Sequence, residues 1–158
     1  MTRTRAAAWQ HPAWYAYPAG RLRFLSELRA CGVHAVSTPV SRADRRHRGG
    51  FQAEFTVTVP GLPARHVRIV FASSGTTPAV YADGHCESPH RYGDGSLCMW
   101  YPYDPDSARW TRRDGAAALL GHITAHLLRE EWWRKTGEWA GDEVPHNEED
   151  DTGDSRPA

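Results

Sequence analysis

Residues 51–59, FQAEFTVTV, alternate without a break. Phe51, Ala53, Phe55, Val57 and Val59 fall on one side of an extended chain; Gln52, Glu54, Thr56 and Thr58 fall on the other. Successive side chains of a strand point to opposite faces, so this pattern specifies a half-buried antiparallel strand with one face on a core. Its neighbours read the same way. VHAVSTPV (33–40) is a first strand ending near a proline, and RHVRIVFAS (65–73) puts Val67, Ile69 and Phe71 on one face. AVYAD (79–83) is a short last strand, with PGLPA and GTTP as the turns between. The gaps are hairpin-sized, which predicts a four-stranded meander.

Helical patterns flank the strands. In residues 20–32, GRLRFLSELRACG, the spacing predicts an amphipathic helix with Leu22, Leu25 and Leu28 on its apolar face, Cys31 packed at its end and Gly32 as its stop. Residues 114–137, DGAAALLGHITAHLLREEWWRKTG, carry the strongest helical pattern in the chain, with Ala116, Leu119, Leu120, Ile123 and Leu127 as its stripe. Asp114 is the expected cap, while Lys135 and Gly137 suit the negative end of the helix dipole and a left-handed stop. Trp132, Trp133 and Trp139 are expected to pack, because rings of that size are rarely left in water without a reason. Helices and strands segregate along the chain, which defines an α+β fold.

Composition narrows the function. A chain of 158 residues suits one domain with a real core. Lys+Arg and Asp+Glu balance at 19 each, so no charge excess points to nucleic acid or an anionic membrane. No apolar run approaches the ~20 residues that span a bilayer. The N-terminal MTRTRAAAWQHPAWYAYP is interrupted by Gln10, His11 and Pro12, and does not read as a signal peptide. Three cysteines do not make a disulfide scaffold, so a cytoplasmic setting is expected. The basic SRADRRHR (41–48) reads as a solvated loop, and the acidic NEEDDTGD (147–154) as part of a disordered tail.

Residues 84–113 form a long segment rich in Gly, Pro, Asp and aromatics, and long irregular segments inside compact domains usually carry function. Within it, HRYGDGSLCMWYP sets Cys98 just past a turn. Leu97 and Met99 fit a buried thiol, yet Gly93, Asp94, Gly95 and Ser96 place the cysteine where the chain leaves a surface turn. His85, Cys86, His90 and Cys98 could together bind zinc, although the adjacent His85 and Cys86 would point apart in extended chain and no CxxC pair is present. The third possibility is a nucleophile that carries an acyl group as a thioester. Such a site needs access, a group to stabilise the oxyanion, and help in deprotonating an incoming amine.

The segment SPHRYGDGSLCMWYP, with Trp110 downstream, resembles the active-site stretch of ubiquitin-conjugating (E2) enzymes. That family has a His-Pro-Asn motif, a glycine-containing turn, an apolar residue, the cysteine and a later tryptophan. His90 matches the histidine, and Gly95-Ser96-Leu97-Cys98-Met99 matches the core around the cysteine. Arg91 stands for the proline and Tyr92 for the asparagine, and the His-to-Cys interval is shorter. In these departures the chain is more similar to bacterial E2-like proteins of anti-phage defence and ubiquitin-like conjugation operons. They share HxYxDGSLC and an ending matched here by Trp133, Thr136-Gly137-Glu138-Trp139, Gly141, Glu143 and His146.

The resemblance implies a UBC/RWD-like domain over residues 20–146, preceded by an extension (1–19) and followed by an acidic tail (147–158). It implies that Cys98 accepts the C-terminus of a ubiquitin-like or similarly processed protein from an E1-like activating enzyme and passes it to an amine on a target protein. No cofactor is implied on this chain, since the E1 consumes the ATP. His90 would structure the loop. Asp104, and less directly Asp106, could receive the amine, although DPD sequences also form plain turns. His146 could fold back toward the cysteine. Two other readings stay open: a UEV/RWD-like binding module without chemistry, and the zinc domain.

Overall fold

The structure, a computed structural model, describes residues 13–73, 77–85, 87–101 and 104–141. A short 3-10 turn (Trp14–Ala16) leads into helix α1 (Pro18–Ala30). Strands β1 (Val36–Thr38), β2 (Phe51–Val57), β3 (Arg65–Phe71) and β4 (Ala79–Ala82) follow, and helix α2 (Gly115–Thr136) closes the fold. The four strands pair antiparallel in chain order, the meander that the hairpin-sized gaps predict. No helix among the described residues is long and apolar enough to cross a membrane.

Register carries the alternation across the sheet. Phe51 faces Phe71, Ala53 faces Ile69 and Phe55 faces Val67, while Val80 and Ala82 extend the same face from β4. All of these side chains are buried. Helices α1 and α2 close over the core with Phe24, Leu25 and Leu28 from one and Ala116, Leu119, Ile123 and Leu127 from the other. An aromatic cluster ties the layers together. Phe24 meets Phe51, Phe71 and Trp110 edge-on at 5.6–6.3 Å between centroids, and Trp14 packs on Phe71 at 5.0 Å. Trp110, the tryptophan downstream of the cysteine, is a core residue, and its indole N–H donates to the Gly115 carbonyl at 2.8 Å.

Several expectations are corrected. Pro18 opens α1 two residues ahead of the predicted start, at the first-turn position where a missing N–H is harmless. The helix buries Phe24 in place of Leu22, which is 64% exposed. Cys31 is exposed, its thiol directed at the Glu27 carbonyl. Asp114 does not cap α2 with its side chain. It forms a reciprocal capping box with Thr111 around the preceding 3-10 turn (Arg112–Asp114). The Ala116 N–H is instead taken by Glu27 of α1, whose carboxylate also receives both terminal nitrogens of Arg112 at 2.7 and 3.0 Å.

The basic loop 41–48 is less solvated than its composition suggests. His47 is buried, bonded through Nδ1 to Asp44 and set edge-on to Tyr81 of β4. Trp132, expected to pack, is 52% exposed. The acidic segment 147–158 lies outside the described residues.

Emptying the aromatic centre carries the usual cost of a large core truncation. Phe71→Ala is expected to lower unfolding free energy by about 3–5 kcal/mol, whereas Leu22→Ala should change it by no more than ~0.5 kcal/mol. Urea titration of both variants checks the assignment of the helix face.

Candidate active site

The segment around Cys98 is a small hairpin standing between β4 and α2. Tyr92 N–H donates to the Ser96 carbonyl and Cys98 N–H to the His90 carbonyl, both at 2.9 Å, and these bonds flank an Arg91–Leu97 bridge. The turn is Gly93-Asp94-Gly95, with Gly95 N–H donating to the Tyr92 carbonyl. Gly95 is left-handed (φ 83°), the conformation that three-residue hairpin turns require at this place and that glycine adopts without a Cβ clash. Asp94 holds the turn from inside: one carboxylate oxygen accepts the Ser96 N–H and hydroxyl, the other Arg46 and the Tyr81 hydroxyl. Burial alone would raise the Asp94 pKa, but the hydrogen bonds from Ser96 and Tyr81 and the charge of Arg46 bring it below the ordinary value. The GDGS sequence is therefore a complete turn with its own lock.

Pairing sorts the side chains by parity, because residues alternate across an extended ladder. Arg91 and Leu97 point inward. Leu97 joins the core. Arg91 meets Glu130 of α2 through two parallel bonds, at 2.7 and 3.0 Å, and donates also to the Ala82 and Gly95 carbonyls. Glu130 is fully buried, with His126 3.5 Å away and Arg134 3.4 Å away. Burial pushes the Glu130 carboxyl up, but the Arg91 and His126 interactions outweigh it and hold the pKa at about 2. The cysteine hairpin is thus anchored to α2 by a buried, doubly bonded ion pair.

Residues of the other parity, His90, Tyr92, Ser96 and Cys98, share the opposite side of the hairpin. Cys98 is half-buried, and its sulfur lies 4.0 Å from the Trp100 carbonyl. It opens on a pocket lined by His90, Asp104, His126, Arg129 and Trp139, with Met99, Trp100, Tyr101 and Ala108 completing the rim. His90 is directly across the ladder from Cys98, and its ring lies 4.1 Å from Trp139. Trp139 also meets His126 at 5.3 Å. It reaches this position because Gly137, left-handed (φ 78°), turns the chain back as its N–H caps the Trp133 carbonyl. The Thr136 hydroxyl accepts the Glu138 N–H and sets the return.

The structure therefore brings three predicted residues, Cys98, His90 and Asp104, to one pocket. Asp104 enters it as a turn residue: its carboxylate accepts the Tyr101 N–H at 3.0 Å. Asp106 pairs with Arg109 at 2.7 Å and is not among the pocket residues. Cys86 and His146 lie outside the described residues. Among the described residues no group of three or more His, Cys, Asp or Glu is placed to hold a metal ion. Sequence reasoning took Arg91 only as a departure from the motif and missed His126, Arg129 and Glu130. His126 and Glu130 continue the spacing of the α2 stripe past Ile123 and Leu127, and polar residues on an apolar stripe were the available signal.

An α+β meander flanked by two helices, with a cysteine on the exit arm of a glycine turn in the long connection before the last helix, defines an E2-like protein. Residues 38–147 match the family model of the Type II CBASS E2 protein, more than half of the chain, and the chain belongs to this bacterial anti-phage E2 family. No curated protein and no solved structure matches it.

Removing the carboxylate of the buried pair should be costly, because Arg91 would be left charged and unmatched. Glu130→Gln is expected to destabilise the fold by about 3 kcal/mol near neutral pH. The Glu130 pKa is depressed from the usual 4.5 to about 2 in the folded state, so its contribution is complete above pH 4.5 and is lost as pH falls toward 2. Denaturation midpoints taken down this range should drop in the wild type and flatten in Glu130→Gln.

Proposed function

We propose that this chain is an acyl carrier: Cys98 takes the C-terminus of a ubiquitin-like or similarly processed protein as a thioester and delivers it to an amine. The observation that carries the reading is the placement of the thiol. It sits half-buried at the mouth of a pocket, on a hairpin held rigid by an Asp94-locked turn on one side and the Arg91–Glu130 pair on the other. A carrier needs this combination: a sulfur reachable by a large donor, on a backbone that does not yield when the donor docks. Membership in the E2 family supports the same reading.

The donor would be an E1-like activating enzyme that uses ATP, the cargo a ubiquitin-like modifier or a protein with a processed C-terminus, and the acceptor an amine of a target protein. His90 serves as scaffold. Its carbonyl fixes the Cys98 amide and its ring is packed against Trp139, an arrangement suited to holding the loop rather than moving protons. Asp104 shapes the rim through its bond to Tyr101 and places a carboxylate-bearing turn where an incoming ammonium group would pass. No step in this transfer calls for a cofactor on the chain itself.

The reading is tested by incubation with the cognate activating enzyme, modifier and ATP. The wild type should form an adduct released by thiol reductant. Cys98→Ser should form a reductant-resistant oxyester or none, and Cys98→Ala no adduct at all. An adduct undiminished in Cys98→Ala would remove Cys98 from the role. Defence activity persisting in Cys98→Ala would favour the binding-module alternative.

A further inference from the structure

Acyl transfer at a thiol passes through a tetrahedral intermediate with a negative oxygen one bond from the carbon attached to sulfur, and that oxygen needs a hydrogen-bond donor. Two donors commonly used are unsuitable or absent here. The backbone N–H of Cys98 is committed to the His90 carbonyl at 2.9 Å. The asparagine of the related motif is replaced by Tyr92.

Tyr92 nevertheless comes to the thiol. In the hairpin it pairs with Ser96, two residues from Cys98 on the same arm, so Tyr92 and Cys98 are diagonal neighbours on one face. Aromatic side chains span such diagonals. The Tyr92 hydroxyl donates to the Trp100 carbonyl at 2.9 Å, the same oxygen toward which the Cys98 sulfur points at 4.0 Å. The residue is 37% exposed, so this face of the hairpin is reachable from solvent.

We propose that the Tyr92 hydroxyl is the oxyanion donor of this site, rotating its proton from the Trp100 carbonyl to the developing oxyanion on the acyl group held by Cys98. The inference rests on the reading of Cys98 as an acyl carrier. During discharge an amine nitrogen adds to the thioester carbon, a C–N bond forms and the carbonyl electron pair moves to oxygen, where Tyr92 stabilises it. On collapse the C–S bond breaks, Cys98 leaves as thiolate, and the nitrogen's proton passes to water or buffer base. Tyr92 transfers no proton. Burial, the neighbouring Cys98 sulfur and the carboxylates of Asp104 and Asp94 all raise its pKa, so the phenol stays protonated and remains a donor.

The test separates oxyanion stabilisation from thiol reactivity and needs no activating enzyme. The purified chain is given a glycine-ended peptide thioester, and acylation of Cys98 and discharge onto free lysine are followed by peptide mass spectrometry, with the exposed Cys31 as internal reference. Alkylation of Cys98 by iodoacetamide, which forms no oxyanion, is measured in parallel. Tyr92→Phe removes the hydroxyl and keeps the ring. It should slow acylation and discharge at least about tenfold while alkylation stays within about twofold, with thermal unfolding unchanged. Equal effects on acylation and alkylation, no effect on either, or a wild-type Cys98 that acylates no faster than Cys31 would each overturn the assignment. A chain that passes this test yet takes no adduct from an activating enzyme fails the proposed function and keeps Tyr92 as donor.

Discussion

The Arg91–Glu130 pair is the interaction on which the cysteine loop depends. Among the described residues, the long connection between β4 and α2 holds only short 3-10 turns and a small hairpin, little of its own to hold it against solvent. It is fastened at its middle: Arg91 reaches across to a carboxylate with no solvent exposure and, with its one remaining nitrogen, ties both the Ala82 carbonyl of β4 and the Gly95 carbonyl of the turn. One guanidinium thereby joins the sheet, the hairpin and α2. A bidentate pair fixes orientation as well as distance, which a lysine could not do. Desolvating both charges is expensive, and an apolar pair of similar volume could be as stable. What the ion pair supplies is a single register for the hairpin, and with it a single direction for Cys98.

Arg91 also stands where the E2 motif described above has proline. Proline after the motif histidine stiffens the backbone by fixing φ. Arginine at that position leaves the backbone free and stiffens it from outside. Asparagine next to it is replaced by a tyrosine whose hydroxyl ends near the sulfur by way of the hairpin diagonal. Both changes are consistent with a shorter His-to-Cys interval, because the short interval is what makes a tight three-residue turn and its cross-strand register possible. If Tyr92 acts as proposed, a role that the motif gives to asparagine is taken by a different residue on a backbone whose geometry has changed with it.

How far the sequence revealed this depends on the kind of signal. The β2 alternation was legible because one face is apolar throughout, and register then follows from a period of two. The α1 face was not. Leu22, Leu25 and Leu28 and the alternative Phe24, Leu25 and Leu28 are almost equally good helical stripes, and only the position of Phe51, Phe71 and Trp110 decides for the phenylalanine. Asp114 looked like a cap by local rule, yet the carboxylate that meets the α2 N-terminus comes from Glu27, 89 residues away from Ala116 in sequence. His47 sat in a basic run, and nothing local said that it would be buried against the outer face of the sheet. Cys98, His90 and Asp104 were legible as a neighbourhood because they lie within one loop. Their partners on α2 were not, because a buried Glu130 and a surface glutamate are the same letter until the stripe is extended one turn further.

The two sides of the hairpin differ in what they leave accessible. The Glu130 side is sealed: Arg91 and Arg134 donate to the carboxylate, and His126 lies 3.5 Å from it. The Tyr92 side is open, with the hydroxyl at the surface and Asp94 bonded outward to Arg46. The face that carries Cys98 and Tyr92 is therefore open to solvent while the anchor beneath it is not. The pocket that Cys98 opens on is walled by Asp104, His126 and Trp139, with Trp100 and Tyr101 on its rim. In the proposed transfer, donor and amine would act in turn at the same sulfur, so one accessible face above a fixed anchor can serve both steps.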